Sequence, residues 1–180
     1  MAVASEKIEE TRIKSNDTSS WKSWIGFIIS ILILFCIFHY AISFTIVSGS
    51  SMNPTIKDNQ ILLSNQIYSH LENDDIIVFH DPHGYDVIKR IIASPNETVE
   101  IKDGIVLVND TPLEEEYITG VSNDMEKITV ADDHYFVMGD NRTPGESLDS
   151  RSSEVGLVSS AQVRGEIVFS VFPLAVKLGR

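Results

Sequence analysis

From Trp24 to Val47 the sequence holds no charged residue, and Ile25–Phe38 is apolar apart from Gly26 and Ser30. At about 1.5 Å per residue, a helix of that length exceeds the ~30 Å hydrocarbon thickness of a bilayer. Its apolar residues favour no single side, which argues against a helix lying along a membrane surface. The pattern predicts one transmembrane helix over 23–46, a polar tail over 1–22 and a separate domain over 47–180. Trp21 and Trp24 flank Lys22, an arrangement suited to a membrane interface. His39 and Tyr40 read as interfacial residues toward the far end of the span. Residues 1–20 mix both charges with Ser and Thr and show no apolar period, which predicts a short disordered tail.

Beyond Ser48 the long apolar run gives way to short ones. Ile61–Ser64, Ile76–Phe79 and Val87–Ile92 are rich in β-branched residues and are bounded by Asn, Asp, Pro and Gly. Thr98–Val108 alternates around Asp103-Gly104, a strong hairpin signal. Strands resume at Asp133–Met138 and at Ala161–Val171. Residues 109–128, with three consecutive glutamates, read as a mobile acidic excursion, and 139–160 reads as turn-rich. The expected fold is mostly β, an antiparallel, barrel-like domain preceded by one N-terminal transmembrane α-helix.

Charge sharpens that division. Lys7, Arg12, Lys14 and Lys22 cancel Glu6, Glu9, Glu10 and Asp17, so the net charge of −12 belongs to the domain after the span. Such a domain has no basic stripe for phosphates, which excludes nucleic acid as its expected partner. Four basic residues precede the span and only Lys57 falls in the first twenty after it. The positive-inside rule therefore places the N-terminus in the cytoplasm and the domain outside, on a single-pass cell-membrane protein. The apolar core is too long for a typical cleaved signal and no A-x-A precedes Ser48, so an uncleaved anchor is expected. Cys36 is the single cysteine, which leaves no intrachain disulfide and no thiolate cluster.

Two stretches could carry chemistry. Ser48–Thr55 offers three hydroxyls beside Gly49 and Pro54, directly after the span. In Val87–Ile92, alternation aims Lys89 and Arg90 at opposite faces of a strand, so one of the two points toward the apolar interior. A desolvated lysine loses its preference for the charged form, and its neutral amine can then act as a general base. The plainer alternative is a lysine at a strand edge whose amine reaches water. His70, His80, His83 and His134 fall in no metal-ligand spacing, and the Asp81-Pro82 between His80 and His83 disfavours a helix that would align them. Neither a metal nor a cofactor is implied.

In order along the chain, Ser51-Met52-x-Pro54-Thr55, Ile88-Lys89-Arg90, Met138–Arg142 and Ser147–Arg151 resemble the blocks of type I signal peptidases. These are membrane-anchored serine endopeptidases with a Ser/Lys dyad that cut signal peptides from secreted preproteins. The resemblance runs from about Trp21 to Pro173. It implies that Ser51 is the nucleophile and Lys89 the general base, with Met52 lining the site and Ser147 aligned with a second serine that hydrogen-bonds the lysine amine. It also implies a supporting scaffold of Asp140, Asp149, Arg151 and Arg90 held through acid–arginine pairing. Phe44, Val47, Ile56 and Ile88, with Met52, fall near shallow pockets for the small residues of a small-x-small cleavage site. The implied partners are signal-peptide-bearing preproteins and the lipid bilayer. Oxyanion stabilisation would come from the Ser51 backbone N–H, because Gly49 stands where some members carry a hydroxyl.

Several features depart from the family pattern. Thr143–Glu146 makes the spacing before Ser147 about two residues longer than usual. Asp74 stands in place of a turn glycine, and Pro95-Asn96-Glu97 replaces a Pro-Gly-Asp. The absence of a second span and of a bulky inserted β domain resembles the small Gram-positive form, and lysine at position 89 argues against the endoplasmic-reticulum-type branch. Other readings stand beside this one. A catalytically inactive, membrane-tethered β module would need neither Ser51 nor Lys89, and a peptidase of the same clan with a specialised substrate would share every residue. A self-cleaving repressor-type protease would require a DNA-binding head that a short polar tail cannot supply.

Overall fold

The computed structural model describes residues 2–172 and 176–177, with side chains over 21–172. The chain forms two units, Met1–Ala41 and Ile42–Arg180. The first is a single helix, α1, Ala2–Ala41. Its segment Trp21–Ala41, 21 residues, is long and apolar enough to cross a membrane, about 31 Å at the usual helical rise.

Both expected boundaries of this unit shift. The residues read as a disordered tail continue the helix upstream to Ala2; Glu, Lys, Arg and Ala, all good helix formers, are common there. At the other end the span expected over 23–46 stops at Ala41, and Ile42–Ile46 form a strand, β1. Their backbone groups pair antiparallel with β2, Ile61–Asn65, in a register running from Ile42↔Asn65 to Ile46↔Ile61. An unbroken apolar run carries no periodic sign of where helix gives way to strand.

The second unit contains two antiparallel sheets. Along the chain follow β3 (Ile76–His80), β4 (Asp86–Ala93), β5 (Thr98–Lys102), β6 (Ile105–Val108), β7 (Thr111–Pro112) and β8 (Met125–Thr129). β9 (His134–Met138), β10 (Val158–Ser159), β11 (Val163–Phe172) and β12 (Val176–Lys177) complete the set. The larger sheet runs β1-β2-β11-β3-β4-β9-β10, with β12 added to β11, and the smaller runs β7-β6-β5-β8. The Asp103-Gly104 hairpin forms as its sequence predicts. Both residues have positive φ, 52° and 77°, as a two-residue turn matched to strand twist demands.

β4 positions the site. Every residue from Ile88 to Ala93 is buried, because the strand lies between β3 and β9 and is covered on both faces. On one face, Ile88 joins Val47, Met52, Ile56, Leu62, Ile76, Val78 and Ile167 in an apolar cluster. Ile91 joins a second cluster with Ile77, Phe79 and Val137. Ile92 joins a third that links β4 to the smaller sheet through Val99, Ile101 and Val106.

The segment 109–128, expected to extend freely, is instead drawn into the fold at both ends: β7 pairs with β6 and β8 with β5. At the hairpin, a Cβ on Gly104 would run into the Val121 side chain of that segment. Gly104→Ala combines that clash with an unfavourable positive φ. It should lower unfolding free energy by about 1–2 kcal/mol, as measured by denaturant unfolding, with the unfolding slope unchanged.

Candidate active site

Ser51 sits in a short turn fixed from both sides. Val47 is held by hydrogen bonds to Gln60 O and from Asn59 N, each 2.9 Å. Gly49, at φ 111°, donates its N–H to Asp58 Oδ1 at 2.9 Å. Beyond the serine, Ile56 N donates to Met52 O at 2.9 Å, and the Met52 and Ile56 side chains are sunk in the apolar cluster beneath. The Ser51 carbonyl in turn accepts from Asn141 N at 3.0 Å. Gly139 lies close behind: a Cβ there would collide with the Ser51 carbonyl oxygen and with Ser147 Oγ. Here glycine is required by close approach rather than by dihedral.

Lys89 reaches this turn from the middle of β4, and its Nζ lies 2.7 Å from Ser51 Oγ. Only 3% of Lys89 is exposed, so the edge-lysine alternative does not apply. Burial is the main influence on the amine and lowers its pKa to about 8, partly opposed by the nearby Asp149 carboxylate. The alternation of Lys89 and Arg90 holds, but both are buried, Arg90 at 5% exposure, because both faces of β4 are covered from Ile88 onward.

The surrounding charges are paired. Arg90 grips Asp140 through two hydrogen bonds, Nε to Oδ1 at 2.9 Å and Nη2 to Oδ2 at 2.7 Å. Burial opposes its charge, yet bonding to Asp140 raises its pKa overall. Arg151 holds Asp149 in the same forked way, at 2.8 and 2.7 Å. Burial disfavours the Asp149 anion, but Arg151, the Gly139 N–H and Ser147 outweigh that and hold the carboxyl below its usual range. Ser147 Oγ donates to Asp149 Oδ2 at 2.7 Å, while the Lys89 amine is hydrogen-bonded to Ser51. The second serine thus reaches the site through the carboxylate.

A cleft of about 430 Å³ opens over the pair, lined by Val47, Met52, Ile88, Leu148 and the polar turn Ser48–Ser51. Of the residues expected near substrate pockets, Val47, Met52 and Ile88 line it. Ile56 is fully buried beneath, and Phe44 is exposed on β1 outside the lining. Sequence reasoning did not single out Asn141, Glu115 or Tyr117. Arg142, buried at 1% exposure, forms a forked ion pair with Glu115. Tyr117 lies under Arg90, 3.9 Å from guanidinium carbon to ring centroid. Nothing in residue spacing signals partners 27 positions apart.

A hydroxyl within hydrogen-bond reach of a desolvated amine, beside a cleft of mixed apolar and polar lining, is the equipment of a hydrolase that works through an activated serine. The sequence relations agree. Residues 21–172 match the family described as "Signal peptidase, peptidase S26". A signal peptidase I from Bacillus amyloliquefaciens is 30% identical over 179 residues, covering 91% of each chain. A probable signal peptidase I-1 from Synechocystis sp. is 36% identical over 141 residues, 71% of this chain and 69% of its own. The solved signal peptidase I of Enterococcus faecalis V583 is 32% identical, with a TM-score of 0.47 over 54% of this chain and 97% of that one. The chain belongs to the S26 signal peptidase family.

The lowered lysine pKa has a stability consequence. Below pH about 8 the folded protein holds a buried ammonium that the unfolded chain would solvate. Between about 8 and the ordinary 10.5 the unfolded chain binds the extra proton, so this contribution improves as pH rises. Lys89→Met should therefore raise the unfolding free energy at pH 7, by at most about 3 kcal/mol. The gain should shrink across that pH window in thermal scans.

Proposed function

We propose that the protein is a membrane-anchored serine endopeptidase that removes signal peptides from preproteins, with Ser51 as nucleophile and Lys89 as general base. The 2.7 Å approach of Lys89 Nζ to Ser51 Oγ, in a setting that favours the neutral amine, carries the reading. The neutral amine takes the Ser51 proton as Oγ bonds to the scissile carbonyl carbon. The resulting ammonium returns that proton to the leaving amine as the C–N bond breaks, leaving an acyl ester on Ser51. Lys89 then takes a proton from a water that attacks the ester, and hands it back to Oγ as the acid departs. The Ser51 backbone N–H is suited to the developing oxyanion, while Asp140, Asp149, Arg90, Arg151 and Ser147 hold the surroundings rather than touch the reacting atoms.

Substrate selection follows from the cleft. Val47, Met52 and Ile88 offer apolar contacts at its base, suited to the methyl-sized residues of a small-x-small site presented by an extended strand. The apolar helix supports attachment to the bilayer. The excess of basic residues before it supports an N-terminus in the cytoplasm and a catalytic domain outside. Holding enzyme and the substrate's own apolar segment in one membrane raises their effective concentration.

With the full-length protein in detergent and a model preprotein, Ser51→Ala and Lys89→Ala should each lose at least ~10²-fold in cleavage while unfolding cooperatively. Substantial activity in either would overturn the dyad. The active base is the deprotonated amine, so kcat should climb with pH and reach half its plateau near pH 8, the value to which burial brings Lys89. A flat profile through that range would exclude a lysine base.

A further inference from the structure

Residues 113–120 are tied at several points to the segment 139–142, which supports the Ser51 turn. Glu115, with 6% of its side chain exposed, meets the buried Arg142 guanidinium through both carboxylate oxygens. Arg142 Nε donates to Gly139 O at 2.9 Å. The backbones join as well: Thr119 N donates to Asp140 O at 3.0 Å and Arg142 N to Thr119 O at 2.7 Å. Gly120 allows this approach, since a Cβ there would stand 2.7 Å from Thr143 N.

Tyr117 adds a hold on the neighbouring arginine. Its ring lies against the Arg90 guanidinium, whose Nε and Nη2 bind Asp140. Its hydroxyl is 3.2 Å from Asp74 Oδ1, and Arg90 Nη1 donates to Asp74 O at 2.9 Å. Burial, with Glu115 and Asp74 nearby, raises the phenol's pKa, so it stays a neutral donor. The two arginines that grip 139–142 are thus each held by a side chain from one short stretch.

That grip is transmitted to the site. Asn141 N donates to the Ser51 carbonyl at 3.0 Å, Asn141 Nδ2 lies 3.4 Å from Ser50 O, and Gly139 packs against the Ser51 carbonyl. We infer that Glu115 and Tyr117 are positioning residues: through Arg142 and Arg90 they fix residues 139–142, and through these the placement of Ser51 against Lys89. The inference rests on the assignment of Ser51 and Lys89 as the reacting pair. Neither residue lines the cleft, so their effect falls on the chemical step and spares substrate binding.

The test combines steady-state cleavage of a model preprotein with amide hydrogen exchange of the full-length protein. Glu115→Ala should lower kcat by about 10- to 100-fold, the scale of a roughly 1 Å displacement of reacting groups, with KM changed less than about twofold. Exchange should accelerate over 139–142 and stay unaltered in β3 and β11. Tyr117→Phe, which keeps the ring on Arg90, should retain more activity than Tyr117→Leu. The double variant Glu115→Leu/Arg142→Met removes both buried charges and should recover unfolding midpoint without recovering kcat. The inference is overturned if kcat returns with stability in the double variant, or if exchange over 139–142 is unchanged in Glu115→Ala. Wild-type protein and Ser51→Ala are run in parallel. An inactive wild type would sink the peptidase assignment, while exchange alone would still decide whether Glu115 holds the segment.

Discussion

The site depends on keeping one amine out of water. In the proposed mechanism Lys89 serves as a base near neutral pH, and it can do so only because desolvation outweighs the carboxylates around it. Asp140 and Asp149 both favour its charged form, and unpaired at this depth they would hold the proton on it. Each is instead committed to its own guanidinium, Asp140 to Arg90 and Asp149 to Arg151. On the proposed mechanism the arginines do more than brace the fold: they use up the negative charge that would otherwise hold the proton on Lys89. A buried ion pair is often no more stabilising than an apolar one of the same shape. Retaining two around a lysine is better explained by chemistry than by stability.

A second constraint is geometric. Ser51 and Lys89 come from separate parts of the chain, a turn after β1 and the centre of β4, and meet at hydrogen-bond distance. Apolar packing fixes the lysine's strand, because β4 has no exposed face in its second half. The serine's turn is pinned below by Met52 and Ile56 and behind by residues 139–142. This division has a physical logic. Core packing places an element to within the tolerance of its side chains, whereas a backbone hydrogen bond and a glycine contact set a single carbonyl.

Much of this was legible in the residues. The anchor helix, the Asp103-Gly104 hairpin and most strands follow from period and turn chemistry. The ordered blocks around Ser51, Lys89 and Met138–Arg151 pointed to the pair that the fold brings together. What could not be read were effects of tertiary cover. Alternation cannot tell that both faces of β4 are sealed, so it sent only one of Lys89 and Arg90 inward where the fold buries both. The helix-to-strand change at Ala41 is silent because both states suit isoleucine and phenylalanine in an apolar setting. The acidic stretch 114–116 has the composition of a solvated loop, and only the position of Arg142 in space gives Glu115 a partner. Ser147 likewise turned to Asp149 because the carboxylate's second oxygen was within reach.

The adjacency of Lys89 and Arg90 places two cations one residue apart under opposite demands. In the proposed mechanism one must be able to release its proton; the other must never do so, because its fixed charge neutralises Asp140. Exchanging them would preserve composition, net charge and strand preference, and any measure of similarity would score the change as mild. Yet a guanidinium does not surrender its proton in a protein, and an ammonium cannot reproduce the two-pronged grip on a carboxylate. The order of these two letters, more than their presence, is the part of the strand that tolerates no paraphrase.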